Sequence, residues 1–440
     1  MELDPLVLAR MQFAMNITFH ILFPSINIAL AWILLAFKLL YQKTGNNYWL
    51  SAYRLWVKIF GISFGIGVVT GVTMSFQFGT NWPGFMDSVG NVAGPLIGYE
   101  VLTAFFLEAT FLGVMLFGEG RISQRAHTIA TLLVAIGTTL SVFWILALNS
   151  WMQTPQGVEV IDGKVYVLNW MEVIFNPSFP LRFTHMLIAS ALTAGFFIAG
   201  ISAHQKLRGD ITKGVDMTMK VGVFIIAIMI PLQFVIGHKL GGKMVDYQPE
   251  KIAAMEAIWK TESDLSYTLI GFPDDQSNTT KFAIMIPHLG SLLLGGSIDA
   301  APNGLDQFDT HPAVAKTFWS FRAMFYTAFV MLFVSWYIAY KVLRHKKISH
   351  RMLNVLSKTT FIGWIAVIGG WYLAEIGRQP WIVHGILRTK DAVAGHTPDI
   401  MLSSFILYLL LYIFLFISFI YVIYYVVNKS TDKTLQAEGK

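Results

Sequence analysis

Nine separate runs of about twenty mostly apolar residues divide this chain, near 14–38, 54–76, 95–117, 127–148, 181–204, 218–238, 318–343, 359–375 and 402–427. Each is long enough to cross about 30 Å of hydrocarbon. Inside a bilayer the backbone must satisfy its own hydrogen bonds, so each run is expected to be a helix. The fold class that follows is all-α: a polytopic membrane protein with about nine transmembrane helices. Composition agrees, because 55% hydrophobic and 13% charged residues with a mean hydropathy of +0.57 lie far from a soluble balance. The first run carries His20 and has no small-residue cleavage site, so it is expected to be retained rather than processed as a signal peptide.

Basic residues set the expected orientation, since Lys and Arg stay preferentially on the cytoplasmic side. The connections after runs 1, 3, 5 and 7 carry Lys38, Lys43, Arg54 and Lys58; Arg121 and Arg125; Lys206, Arg208, Lys213 and Lys220; and Arg344, Lys346, Lys347 and Arg351. The connections at 79–91 and 149–180 hold only Lys164. The N-terminus is therefore expected outside and the C-terminal tail, 428–440, in the cytoplasm. The net charge of +6 follows from this topology and calls for no nucleic-acid partner.

The organisation predicted is helices 1–6 over 1–238, an outer-face loop over 239–316, and helices 7–9 with a short cytoplasmic tail over 317–440. A loop that long is usually functional or disordered. Within it, 251–259 (KIAAMEAIW) has helical polar and apolar spacing, and 282–296 is an apolar stretch broken by Pro287 and glycines. The second is too short to span and is expected to lie on the membrane or re-enter it.

Ionisable and ligating residues sit near the expected outer edge of several runs: His20, Glu100, Glu108, His185, Arg322, Met324, Glu375 and Arg378. Such groups are expensive in a bilayer, so their gathering at one level marks a functional site. The chain has no cysteine, which excludes disulfides, thiolate metal centres and covalent CxxCH haem attachment. His185 with Met324 is a pair suited to a six-coordinate electron-transferring iron, and His20 and Glu375 each suit an iron with an open position. Taken singly, a membrane His is often only hydrogen-bonded, and most methionines fill gaps between helices. Glu100 and Glu108 read about equally as structural groups and as a proton route; eight residues apart, they lie on adjoining helix faces.

Four segments give these residues a family context: 375–381 (EIGRQPW) preceded by Gly370 and Trp371, 318–324 (FWSFRAM), 149–153 (NSWMQ) and 10–24 (RMQFAMNITFHILFP). Together they closely resemble subunit I of cytochrome bd-type quinol oxidases, over almost the whole chain. The resemblance implies a terminal respiratory oxidase of the bacterial cytoplasmic (inner) membrane. Such an enzyme oxidises membrane quinol at the outer face and reduces dioxygen to water, generating a proton gradient without pumping.

It also implies two haem b groups, one low-spin and one high-spin, and one haem d. His185 and Met324 match the low-spin ligands, and His20 and Glu375 the high-spin ligands, with the choice between them for haem d open. Glu100 and Glu108 match acidic residues near the oxygen-reducing haems and on the proton route. Arg322 and Arg378 resemble arginines that support propionates, and Trp371 matches a tryptophan between haems. Lys251 and Glu256 match two quinol-loop residues, although KIAAMEAIW by itself is an ordinary amphipathic helix. The loop is the short form, lacking an insertion some relatives carry. Subunit II is the implied heterodimer partner, with a small single-helix subunit as a further one.

Three other classes fit less well. A haem–copper oxidase needs adjacent histidines, and no His-His pair occurs. A proton-coupled transporter leaves the His/Met pair and GRQPW unexplained, and a scaffold needs no such set of ionisable groups.

Overall fold

The computed structural model describes residues 4–438; residues 1–3 and 439–440, the extreme ends of the first and last predicted segments, lie outside it. Among the described residues, nine helices are long and apolar enough to cross a membrane. They are α1 (Pro5–Thr44), α2 (Asn47–Thr80), α3 (Pro83–Phe117), α4 (Gln124–Gln153), α5 (Phe179–Leu207), α6 (Lys213–Tyr247), α8 (Val314–Leu343), α9 (His350–Ile376, broken near 359–361) and α10 (Pro398–Gln436). A short helix, α7 (Pro249–Glu256), lies in the long loop.

The helices outrun the apolar runs because capping chemistry sets their ends. In α1, Pro5 occupies the first turn, Asp4 Oδ1 accepts from Leu6 N at 2.9 Å, and Gly45 closes the far end at φ 67°. The helix therefore starts nine residues before its apolar run.

The centre of the bundle is α1, which packs against α2, α4, α5, α9 and α10. Phe23, Leu34, Phe37, Trp56, Phe197, Trp364 and Phe419 interlock there. Between lipid-solvated helices such packing stabilises through van der Waals contact rather than release of water. In α5 72% of the most apolar window is buried, but in α3 and α10 only 17% is. Those two helices leave broad apolar flanks.

Among the described residues, strands occur only in connections, as three hairpins: β1 (Val158–Ile161) with β2 (Lys164–Val167), β3 (Tyr267–Asp274) with β4 (Thr279–Ile286), and β5 (Trp381–Val383) with β6 (Leu387–Arg388). The long loop spans 248–313, because α6 runs on to Tyr247. Its apolar 282–296 stretch divides into β4 and a short helix, Leu289–Gly295. The two-residue alternation of Phe282, Ile284 and Ile286 against β3 explains the strand.

Candidate functional site

The polar residues do not share one level. Four of them, Lys251, Glu375, Glu100 and Glu108, meet α4 at successive depths. At its loop-side end Gln153 Oε1 accepts from Lys251 Nζ at 2.5 Å, and one turn deeper Asn149 Nδ2 donates to Glu375 Oε1 at 2.9 Å. Ser141, about 18 Å below Gln153 by helical rise, donates to Glu100 Oε1 at 2.8 Å. Next comes Gly137, where an added Cβ would lie 2.5 Å from Glu108 Cγ. Only a glycine lets Glu108 lie against α4 there. Near the helix start, buried His127 accepts from Lys38 and donates from Nε2 to Met115 O at 3.1 Å.

A π-turn at 101–105 lies between the two glutamates of α3. In a regular helix residues eight apart differ by roughly 80°. The extra residue held in the π-turn makes the interval close to two full turns, so both carboxylates face α4. The expectation of adjoining faces is corrected to one face. Glu108 is 6% exposed and its Oε1 has no partner among the described residues.

The loop end is densely paired. Glu375 forms an ion pair with Arg378, three residues on. Gln153 Nε2 donates to Ala374 O at 3.2 Å and reaches Glu375 Oε1 at 3.5 Å, so one side chain joins Lys251 to Glu375. Lys251 also donates to Gln248 Oε1 at 2.6 Å and is 3% exposed. Burial pushes its amine well below the usual lysine value, and the positive Arg182 and Arg378 nearby push the same way.

Glu256 pairs with Arg322 at 2.7 Å, both buried. Arg322 also donates to Met255 O and Thr268 O, each at 2.6 Å, so its terminal nitrogens hold the loop. Burial pushes the Glu256 carboxyl up, while Arg322 pulls it back. Glu250 accepts from His384 Nε2 at 2.8 Å, which ties α7 to the β5–β6 hairpin.

The four candidate iron ligands stand apart on different helices. His20 Nδ1 lies 3.1 Å from Thr70 Oγ1 of α2, and Gln233 Nε2 of α6 lies 3.1 Å from His185 Nε2. Met324 abuts Gly370 of α9, where an added Cβ would stand 2.9 Å from the sulfur. Among the described residues no three His, Cys, Asp or Glu gather as a metal site. An iron here must bring most of its own ligands, as a porphyrin does. The residues fit that group: neutral His and Met donors, a carboxylate, and buried donors with no protein partner at Arg378 Nε and Nη1, Arg322 Nε and Trp371 Nε1. Anionic propionates suit the guanidinium nitrogens.

Of the candidates read from sequence, Lys251, Glu375, Glu100 and Glu108 meet α4, while His20, His185, Met324 and the Arg322–Glu256 pair have their partners on other elements. What sequence reasoning left without a role is the set of neutral partners, namely Gln153, Asn149, Ser141, Gln233 and Thr70. Gln153 and Asn149 lie in the NSWMQ segment, which was the one available signal.

A family model described as cytochrome bd terminal oxidase subunit I matches residues 8–431. The chain is similar to the cytochrome bd-II ubiquinol oxidase subunit 1 of Escherichia coli (strain K12), 31% identical over 477 residues that span 92% of each protein. The cytochrome bd ubiquinol oxidase subunit 1 of Bacillus subtilis (strain 168) is 32% identical over 409 residues, 89% of this chain and 86% of that one. Among solved structures, the bd oxidase from Geobacillus thermodenitrificans superposes with a TM-score of 0.90 at 28% identity, covering 97% of this chain and 99% of that chain.

Proposed function

Because the chain belongs to the cytochrome bd terminal oxidase subunit I family, we propose that it oxidises a membrane quinol at the outer face and supports reduction of dioxygen to water. It is a multi-pass protein of the bacterial inner membrane and an oxidoreductase of respiratory electron transport. Subunit II is its heterodimer partner, with a small single-helix subunit as a further one. His185 and Met324 hold a low-spin haem b, and His20 and Glu375 hold a high-spin haem b and a haem d. Bound haem supplies one-electron transfer and, where a coordination position is open, the reduction of oxygen.

The protein's own residues handle quinol and protons. Lys251, buried and biased towards its neutral amine, hydrogen-bonds a quinol oxygen. Glu256, pushed up by burial, takes the quinol proton and releases it on the loop side, with Arg322 holding it in place. Arg378 pairs with Glu375 and orients it, and Asn149 and Gln153 donate to its other oxygen. Glu108 and Glu100, on one face of α3, carry protons from the opposite side. Quinol protons leave outside and consumed protons arrive from the cytoplasm, so charge separates without a pump.

The observation that carries this reading is the alignment along α4, which joins the quinol-loop Lys251 to Glu375 and continues to Glu100 and Glu108, two carboxyls with no cationic partner among the described residues. The test is an absorption spectrum and oxygen uptake of the purified two-subunit complex. Three haems, a chlorin band in the red and quinol-dependent oxygen consumption are expected. A complex with no red band and no quinol-dependent uptake overturns it.

A further inference from the structure

We infer that the outward face of the β3–β4 hairpin is a lipid-contacting surface, seated in the interfacial layer of the leaflet on the loop side. The hairpin is fastened along the first turns of α8. Asp275 Oδ1 at its tip accepts from Val314 N at 3.0 Å, capping that helix. Phe272 packs on Trp319 with ring centroids 5.7 Å apart. Deeper down, Thr268 O accepts from Arg322 at 2.6 Å and Leu269 O accepts from Tyr326. The tip is therefore level with the helix end, and the strands descend obliquely beside about eight to twelve helical residues, or roughly 12–18 Å.

The face of α8 that the hairpin covers is the face that lipid covers lower down. Trp319, Tyr326, Val330, Phe333 and Tyr337 fall within about 60° of one another around the helix. Below the hairpin, Val330, Phe333 and Tyr337 are exposed on a membrane-spanning helix. The hairpin thus replaces lipid on the upper part of a lipid-facing stripe and presents its own outer face in the same direction.

That outer face is apolar. Ile270 pairs with Ile284 across the ladder, and Phe272 and Phe282 have ring centroids 6.5 Å apart. Ile270, Phe272, Phe282, Ile284 and Ile286 are all exposed, Phe282 to 86%. A bulge sets Phe282 at φ 49°, in the left-handed region that bulky residues rarely adopt. The polar residues collect at the tip, where Asp274 pairs with Lys281 at 2.6 Å. Aromatic and aliphatic side chains below a polar, water-level tip match the gradient of a membrane interface.

The chain has no cysteine, so single-cysteine variants can be labelled within it. The experiment puts a small fluorophore on Phe282→Cys, Ile284→Cys, Asn278→Cys at the tip and Phe333→Cys on the lipid face of α8, in the intact complex in nanodiscs. Wild-type complex serves as the blank for the partner. Quenching is then read with lipids bearing a nitroxide high on the acyl chain and with aqueous iodide. Unchanged haem spectra report that each variant is folded. The expected result is lipid quenching at 282 and 284 within about twofold of that at 333, and iodide quenching only at 278. Iodide quenching at 282 and 284 without lipid quenching overturns the inference in favour of open water. Protection from both overturns it in favour of a covering protein chain. Because neither quencher reads turnover, failure here is distinct from failure of the oxidase reading.

Discussion

Four carboxylates of this protein, Glu256 and Glu108 buried and Glu375 and Glu100 half-buried, fall into two regions that treat them differently. Beside the loop, Glu256 and Glu375 each have a guanidinium, Arg322 and Arg378. Along α3, Glu100 has only the Ser141 hydroxyl, and Glu108 has a carboxyl oxygen with no partner among the described residues. A paired buried carboxylate is a fixed charge whose loss strands its partner. An unpaired one is held most cheaply when neutral, and so can pass a proton on. The same side chain serves as an anchor in one region and as a carrier in the other.

The largest effect is expected from breaking a pair. Arg322→Leu leaves Glu256 buried without its cation and strips Met255 O and Thr268 O of their donor. It should cost about 3–5 kcal/mol and release the loop, read as a lower Tm and loss of quinol oxidation. If it costs no more than a change at Glu108, pairing does not distinguish the regions.

Glu108→Gln keeps the shape against Gly137 and should leave Tm almost unchanged while oxygen uptake falls roughly 10²-fold or more, the scale of losing a positioned proton carrier. Wild-type uptake in that variant removes Glu108 from the route. Gly137→Ala sharpens the same point, since its Cβ collides with Glu108 Cγ. A stability loss of about 1–3 kcal/mol should come with slowed uptake.

Gln153→Leu tests whether Lys251 and Glu375, both on the loop side, communicate through α4. It removes the acceptor of Lys251 and a donor to Glu375, for about 1–3 kcal/mol, and should shift both quinol KM and the high-spin haem spectrum. A change in only one of these separates the sites.

The smallest effect is a pH dependence at Glu250. Burial raises this carboxyl, but the hydrogen bond from His384, a backbone hydrogen bond and the charge of His384 together hold it below its usual value. A lowered folded value stabilises above the unfolded value and is lost as pH falls through the folded one. Thermal unfolding of wild type and His384→Ala should therefore differ near neutral pH and converge in acid.

Much of this was legible in the sequence, and the failures have physical causes. Apolar runs revealed all nine helices because the bilayer forces backbone bonds inside each segment. Their ends were missed where capping groups such as Asp4 and Pro5 carry a helix beyond the hydrocarbon. The sequence singles out His20, His185, Met324 and Glu375 as candidates by residue type alone, which carries no depth. Depth depends on which turns of different helices meet, and the pairing of Asn149 with Glu375 or Ser141 with Glu100 leaves no periodic mark. The π-turn between Glu100 and Glu108 was equally silent, since nothing in VLTAF distinguishes it from α-helix. The 282–296 segment was read as one apolar stretch, although the polar run DDQSNT before it is the turn of a hairpin.

The most direct test of the central claim is the reduced-minus-oxidised spectrum of the purified complex carrying His185→Ala or Met324→Leu. The account predicts that each loses the low-spin haem b signal while the high-spin bands remain. An unchanged low-spin signal in both variants contradicts the ligand assignment on which the proposed site is built.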